Sequence, residues 1–299
     1  MENFFVTTTC LLIGIIIRRI PKFPPETGNV LNLFVIYISL PALILLKIPD
    51  LPFNKDILFP AIMPWGMLLF SAALILILSK LLKWNKNTTG CLLLLIPLGN
   101  TSFLGVPMVE AFFGPKAVSY AVLYDQLGSF IALATYGSII IAIYGKGESK
   151  PTLKSVFIKI FTFPPFIALI FAFLLRAISY PAIALNILKL LSSTLIPVVM
   201  IAVGFQLTLS LNREKISQLS IGLLIKLIIA PLTALLFCTI LGFDGVVVNV
   251  SIFESAMPPM VSAGALAILA GLSPKLTAAL VGVGILLSFA TLPLIFQLL

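Results

Sequence analysis

The chain has 299 residues, of which 60% are hydrophobic and only 10% are charged, and its formal charge is +9. A water-soluble domain is about one quarter charged, so this composition excludes an ordinary soluble protein. The basic residues lie in short loops between apolar stretches, a distribution that argues against nucleic-acid binding.

The apolar stretches are about 20 residues long, the length that crosses a hydrocarbon core of ~30 Å, and they predict a polytopic membrane protein. Glu2 at the start, and Arg18-Arg19 after the first apolar run, are not typical of a cleaved signal peptide. The first stretch is therefore interpreted as a transmembrane helix that is retained. The predicted spans are 4–20, 28–47, 59–82, 90–113, 117–144, 155–178, 186–209, 216–241, 245–270 and 276–298.

Lysine and arginine are distributed unequally between the two sides that these spans define. Five of the 19 fall on one side and one, Lys226, falls within a span. By the positive-inside rule the richer side is cytoplasmic, which predicts that both termini face outside. The thirteen basic residues of that side are Arg18, Arg19, Lys22, Lys80, Lys83, Lys86, Lys146, Lys150, Lys154, Lys159, Arg213, Lys215 and Lys275.

The two halves of the chain match span by span. Leu40-Pro41 in the second span has a counterpart in Ile196-Pro197 of the seventh, 156 residues later. Each half has five spans, an odd number, so the second copy enters the membrane from the opposite side. The predicted fold class is an all-α polytopic membrane protein with ten transmembrane helices in a five-plus-five inverted repeat. Its predicted parts are a first repeat at 1–145, a cytoplasmic linker at 146–154 and a second repeat at 155–299.

The fourth and ninth spans are interrupted by proline, glycine and polar residues. The interruptions cover 99–109 and 254–261, and both finish on Pro-Met-Val, with Pro107 and Pro259 separated by 152 residues. Irregular backbone at membrane depth is tolerated only where it is buried or lines a cavity. A matched pair of broken helices is typical of the substrate site of a secondary transporter. We therefore predict that helices four and nine cross near the midplane with their breaks together; two ordinary proline kinks are the alternative.

The first break is neutral and suits an anion. Each second half-helix would direct its N-terminus at the crossing, where free N–H groups and the helix dipole favour negative charge. Asn100 is the preferred ligand, although small hydroxyl residues beside it can bond their own helix backbone instead. Gly105 is expected to let the chain turn and a ligand approach closely. The predicted substrate-binding set is Asn100, Thr101, Ser102, Gly105, Pro107, Ser255, Pro258 and Pro259.

Four ionisable residues fall inside spans, where they are costly and are functional candidates. Glu254 precedes the second break and can bind a proton or a cation, or pair with Lys226. Lys226 can alternatively snorkel to the inner interface. Asp125 suits either a cavity or a polar structural contact, and Glu110 is assigned to the outer interface. The predicted ion-coupling or charge-pair set is Glu254, Asp125 and Lys226, with Na⁺ or H⁺ as the coupling ion.

Other chemistries have no motif in the chain. Cys10, Cys91 and Cys238 lie in apolar spans without metal-ligand spacing, and histidine is absent, so no disulfide framework, metal site or cofactor is predicted. No nucleophile–base pair or Walker motif is present, which argues against an enzyme. Gly282-x-Gly284 lies inside an apolar span and is interpreted as tight helix packing.

Several stretches resemble the auxin efflux carrier family of permeases, in the same order along the chain. The resemblance covers essentially the whole chain. The stretches that carry it are Gly14–Arg19, Ser39–Leu43, Asn100–Pro107, Tyr124-Asp125, Glu254–Pro259 and Leu287–Pro293.

The resemblance implies ten helices in an inverted repeat with crossing helices four and nine, in a superfamily shared with the bile-acid sodium symporters. Members of the family include plant auxin exporters and bacterial malate and malonate permeases. In the plant members an asparagine at the place of Asn100 contacts the substrate carboxylate. The long cytoplasmic loop of many plant carriers is missing, so the chain resembles the compact microbial form. It departs from the family pattern at Ser102, where a glycine often stands, and at Glu110.

The leading hypothesis is a secondary transporter for a small organic anion, a carboxylate such as malate, malonate or an auxin-like acid, working by alternating access in the plasma membrane. A Na⁺- or H⁺-coupled carrier of another small solute is one alternative. A membrane receptor that binds a ligand without moving it is another. The expected partners are the organic anion and the lipid bilayer, and the sequence allows a homodimer.

Overall fold

The computed structural model describes residues 2–51, 57–145, 152–178, 180–207 and 215–299, with side chains from residue 4 onward. These residues form helices joined by turns, and no strand occurs among them. In chain order the helices are α1 Glu2–Ile17, α2 Thr27–Lys47, α3 Leu58–Leu81, α4 Lys86–Leu95, α5 Thr101–Phe113, α6 Val118–Tyr144, α7 Leu153–Phe161, α8 Pro164–Ala177, α9 Ala182–Gln206, α10 Ile216–Leu241, α11 Val246–Ser255, α12 Val261–Leu269 and α13 Pro274–Phe296.

The predicted spans coincide with these helices, or with pairs of them, and no described boundary differs by more than four residues. Six helices, α2, α3, α6, α9, α10 and α13, are each long and apolar enough to cross a membrane. The pair α7 and α8 makes a seventh candidate span, but it is bent by 65°. Apolar length and composition gave no indication of this bend. Its physical cause is Pro164, which disfavours helical backbone at the residue before it.

The outer faces of the helices carry large apolar side chains. Leu69, Leu190, Leu236 and Ile240 are each more than half exposed, for example. Exposed leucine and isoleucine are costly in water and favourable in a hydrocarbon core. The protein is therefore a multi-pass membrane protein whose helices are surrounded by lipid.

The helices group into two compact units, each built from three separate segments of the chain. The first unit comprises Met1–Lys55, Ser102–Val122 and Phe157–Leu207. Within it α1 and α9 approach so closely that a Cβ added to Gly204 would lie 2.1 Å from the carbonyl oxygen of Leu11. Small residues permit such approaches between membrane helices.

The second unit comprises Asp56–Thr101, Leu123–Val156 and Thr208–Leu299. Its centre is α4, whose residues from Thr88 to Leu95 are all buried and which contacts α3, α6, α12 and α13. The Tyr136 hydroxyl donates a 2.7 Å hydrogen bond to the Leu93 carbonyl, which ties α6 to this central helix. The second unit also contains most of the predicted functional residues.

Candidate functional site at the paired helix breaks

The two chain breaks lie side by side in the second unit. The Asn100 N–H donates to the Pro258 carbonyl at 2.8 Å, and the Met260 N–H donates to the Leu98 carbonyl at 3.0 Å. Gly99 and Pro259 thus form an isolated antiparallel bridge. Backbone groups that leave a helix inside a membrane must find partners within the protein, and here each break supplies them to the other.

The position of the first break differs from the predicted one. Helix α4 ends at Leu95 and α5 begins at Thr101, so the break covers residues 96–100 rather than 99–109. Pro97, which was not among the residues predicted to lie at the break, lies in it. Helix α4 ends at Leu95, and Ile96, directly before this proline, still has helical dihedral angles, φ −76° and ψ −41°.

Four residues predicted to lie at the first break belong to α5 instead, and Thr101 is the first of them. Ser102, Gly105 and Pro107 all fall in the helix and in the first unit. Gly105 has helical dihedral angles, φ −60° and ψ −54°, so the expectation that it lets the chain turn was wrong. Pro107 stands at the start of an α-helical stretch, where proline is tolerated. The two Pro-Met-Val motifs are therefore not equivalent, because Pro259 lies within a break.

Asn100 is buried at the pairing of the two breaks. Its backbone N–H donates to the Pro258 carbonyl, and the residue is 2% exposed. Its amide nitrogen Nδ2 has no hydrogen-bond partner among the described residues. Buried polar groups are nearly always hydrogen-bonded, so this buried donor is unusual.

Thr101 and Asp125 form a buried polar contact next to Asn100 in the chain. The Thr101 hydroxyl donates to Asp125 Oδ1 at 2.5 Å, and the Gln126 amide donates to Asp125 Oδ2 at 2.6 Å. Both oxygens of the Asp125 carboxyl are engaged by neighbouring side chains, which favours the polar structural contact of the two roles considered from sequence. Gln126 was not singled out in the sequence.

Glu254 and Lys226 lie at the second break. Glu254 is fully buried, with 0% exposure, and within the described part of the chain neither of its carboxylate oxygens has a hydrogen-bond partner. The Lys226 ammonium donates to the Ser255 carbonyl at 3.3 Å and interacts electrostatically with Glu254. With 4% exposure, Lys226 is held inside the second unit, whereas a snorkelling lysine keeps its ammonium in water.

Ser255, Pro258 and Pro259 all lie at or beside the second break, as predicted. The Ser255 hydroxyl bonds the Ile252 carbonyl of its own helix at 2.6 Å, so its contribution to the site is its carbonyl. A Cβ added to Gly284 would lie 2.8 Å from Cδ of Pro259. The interpretation of the glycine pair as tight packing is therefore confirmed at Gly284, which lets α13 approach the break.

Three polar residues of the site lie on π-helical turns. Thr101 is in the turn Thr101–Gly105, Asp125 in Tyr124–Phe130 and Lys226 in Ile225–Ile229. A π-helical turn adds a residue to the helical turn and so changes the direction of the side chains around it, and such turns are frequent at functional sites. Sequence periodicity carries no simple signal for them.

A small cavity lies beside Thr101, Lys226 and Glu254, but its lining does not include Asn100 or Asp125. Its volume is about 10 Å³, which is room for about one water molecule. This space is far smaller than an organic anion. The polar side chains that line it are Ser71, Thr101, Tyr124, Ser129, Lys226, Glu254 and Ser255.

Paired helix breaks of this kind are typical of membrane transport proteins, and comparison with known proteins identifies the family. Residues 9–296 match the family described as membrane transport protein, and the chain belongs to this family, that of the auxin efflux carriers.

Two archaeal relatives extend over nearly the same length. An uncharacterised transporter of Methanocaldococcus jannaschii is 28% identical over 267 residues, which cover 86% of this chain and 85% of the relative. An uncharacterised transporter of Methanothermobacter thermautotrophicus is 28% identical over 298 residues, which cover 98% of this chain and 96% of the relative. The similarity to the second relative, which covers 98% of this chain, includes the two breaks.

Proposed function

We propose that the protein is a secondary transporter that moves a small organic anion, a carboxylate such as malate, malonate or an auxin-like acid. The observation that carries the proposal is the unpartnered Asn100 amide, buried where two broken helices pair. A carboxylate oxygen is a strong acceptor for such a donor.

Charge at the site also favours an anion. The first-turn N–H groups of α12, which begins at Val261 directly after the second break, have no acceptor within the helix and carry its positive dipole end. The Lys226 ammonium also lies beside Gly99, but the Glu254 carboxylate interacts with it electrostatically. Asn100 would hold the substrate carboxylate by a hydrogen bond, while the helix end provides the favourable field.

Transport requires the site to open and close. The cavity of about 10 Å³ cannot hold a carboxylic acid, so substrate binding must be accompanied by movement of the helices around it. We propose alternating access, in which the site faces the two sides of the membrane in turn.

The proposed architecture is ten spans in an inverted five-plus-five repeat. Two contacts support this architecture. Each joins positions whose separation in sequence is similar to that of the matched spans, and equivalent residues of an inverted repeat meet only near its symmetry axis. Within the first unit, Ser39 and Thr194, 155 residues apart, share a 2.7 Å hydrogen bond. Within the second, Gly99 and Pro259, 160 residues apart, form the antiparallel bridge.

We further propose that the basic loops are cytoplasmic, that both termini face outside and that the protein resides in the plasma membrane. Reporters that are active on only one side of the membrane, fused to each terminus, test the orientation. Activity of a cytoplasmic reporter at both termini would show the opposite orientation.

Flux of labelled carboxylates into proteoliposomes tests the transport proposal. We expect saturable uptake that falls at least about tenfold in Asn100→Ala, since the loss of a hydrogen bond to a charged group costs about 1.5–3 kcal/mol. Asn186→Ala, at an exposed position of α9, is the matched control and should leave uptake unchanged. Unaltered uptake and affinity in Asn100→Ala would remove Asn100 from the site.

A second candidate function is cation- or proton-coupled transport through Glu254. The observation that favours it is that both Glu254 oxygens are buried without a hydrogen-bond partner beside a cavity of about 10 Å³. Such a carboxylate is an exchange point for a proton or a small cation. A ligand-binding receptor is distinguished from both by counterflow, because tight binding without exchange of internal and external ligand contradicts transport.

A further inference from the structure

The Lys226 ammonium lies at the C-terminal end of a helix in the second unit, where backbone carbonyls can bind a cation. Helix α11 ends at Ser255, and the Lys226 ammonium donates to the carbonyl of that residue at 3.3 Å. The carbonyls at a helix C-terminus carry its negative dipole end and stabilise positive charge. In transporters with discontinuous helices, such C-terminal ends and unwound carbonyls are where coupling cations bind.

The surroundings of the ammonium are those of a monovalent cation. The buried Glu254 carboxylate interacts with it electrostatically, and the side chains of Thr101 and Ser129 line the same small cavity. A carboxylate, a carbonyl and hydroxyl groups together are oxygen ligands of the kind that hard cations prefer. Lys226 contributes a single positive charge to this set of oxygens from within the chain.

Two features hold the ammonium in this position. Gly99 lacks a side chain at the nearest point of the first break, and a Cβ there would lie 3.1 Å from Nζ. The π-helical turn Ile225–Ile229 changes the side-chain direction of α10 at Lys226. With 4% exposure, Lys226 is too buried to be an interfacial lysine of the ordinary kind.

We propose that Lys226 is a resident cation that takes the place of an alkali-metal ion at the second break. Its ammonium offsets one of two neighbouring buried carboxylates, Glu254 and Asp125, which interact electrostatically with each other. It also completes the C-terminal end of α11 and so occupies the position that a bound Na⁺ would take. If the proposed transport function is correct, the consequence of this role is that anion transport proceeds without Na⁺. That consequence rests on the proposed function.

Thermal unfolding of the purified protein tests the cation role without knowledge of the substrate. For the wild type we expect equal melting temperatures in sodium chloride and in choline chloride at the same ionic strength. Lys226→Ala should melt at a lower temperature in choline chloride. Sodium chloride and methylammonium chloride should each raise it by about 3 °C or more, because a ligand that binds only the folded state stabilises it. Lys275→Ala, at an exposed position of α13, is the control and should show neither effect.

Two outcomes would overturn the proposal. One is a wild-type protein that Na⁺ stabilises specifically over choline, since a metal ion would then bind alongside Lys226. The other is a folded Lys226→Ala variant that neither Na⁺ nor methylammonium stabilises. If Lys226→Ala cannot be purified, the wild type and Lys226→Arg test the proposal instead. Lys226→Arg keeps the charge, so its melting temperature should not depend on Na⁺.

Flux measurements separate this role from the transport function itself. Carboxylate uptake that is equal in Na⁺ and in choline supports both the cation role of Lys226 and the transport function. Carboxylate uptake that requires Na⁺ overturns the role of Lys226 and leaves the transport function intact. Absence of carboxylate flux in both salts, with the expected melting behaviour, overturns the function and leaves the cation role intact.

Discussion

Gly99 leaves the space that the Lys226 ammonium occupies: a Cβ on Gly99 would lie 3.1 Å from Nζ of Lys226 and 3.5 Å from Cβ of Met257. Nζ is in turn bonded to the Ser255 carbonyl, so the ammonium cannot move away without loss of that contact. The pairing of the two breaks and the position of the buried charge are therefore coupled through one residue that has no side chain.

Substitution of Gly99 by alanine tests this coupling. We expect Gly99→Ala to destabilise the protein by about 1–2 kcal/mol, because added volume in a well-packed interior displaces its neighbours. Its transport rate should also fall. Thermal unfolding in detergent and proteoliposome flux provide the two measurements.

Gly66→Ala is the matched control for Gly99→Ala. It lies within α3, and nothing is within 4 Å of its added Cβ. Alanine is the better helix former, so Gly66→Ala should be neutral or stabilising by up to about 1 kcal/mol. If both variants behaved alike, the close contact of Gly99 with Lys226 would have no energetic importance.

The hydroxyl of Thr101 should stabilise the protein through Asp125. Thr101→Val removes the 2.5 Å hydrogen bond and leaves one oxygen of the buried carboxyl without its donor, at a cost of about 1–2 kcal/mol. Thr101→Ser keeps the hydroxyl and should lie closer to the wild type. Thermal unfolding of the three proteins under one condition is the measurement, and equal stability of Thr101→Val and the wild type would contradict it.

The crossing of α1 and α9 should be sensitive to a single methyl group. In Gly204→Ala the new Cβ would lie 2.1 Å from the carbonyl oxygen of Leu11, a backbone atom that cannot rotate away. The two helices must separate, so we expect a loss of about 2 kcal/mol or more. The melting temperature checks this, and Gly66→Ala again serves as the control; a melting temperature equal to the wild-type value would show that the helices are not closely packed.

Glu254 should determine any response of transport to a proton gradient. If Glu254 carries the proton, an imposed gradient accelerates uptake by the wild type, and Glu254→Gln abolishes the acceleration because an amide cannot exchange a proton. Glu110→Gln, at the half-buried end of α5, should retain the wild-type response. Fluxes measured with and without a gradient test this, and a response that persists in Glu254→Gln would exclude Glu254 as the proton carrier.

Much of the fold could be predicted from apolar length alone. Span 216–241 coincides with α10, Ile216–Leu241, because a stretch that must satisfy its backbone hydrogen bonds in lipid has little choice but a helix. The predicted position of the first break was wrong because proline occurs both after the end of a helix and near the start of one. Pro97 follows the end of a helix, whereas Pro107 is accommodated near the start of an α-helical stretch, and residue type does not distinguish the two.

The sequence by itself determined that the chain is helical, that it resides in lipid, that two spans are broken and that Asn100, Asp125, Lys226 and Glu254 are the polar residues of interest. Only the tertiary structure showed which partners each of these side chains has. Asp125 has its carboxyl engaged by Thr101 and Gln126, while the carboxylate of Glu254 has no hydrogen-bond partner. Lys226 bonds a carbonyl 29 residues away. The physical reason is that hydrophobic length and proline act locally along the chain, whereas a buried polar group takes its partners from helices distant in sequence.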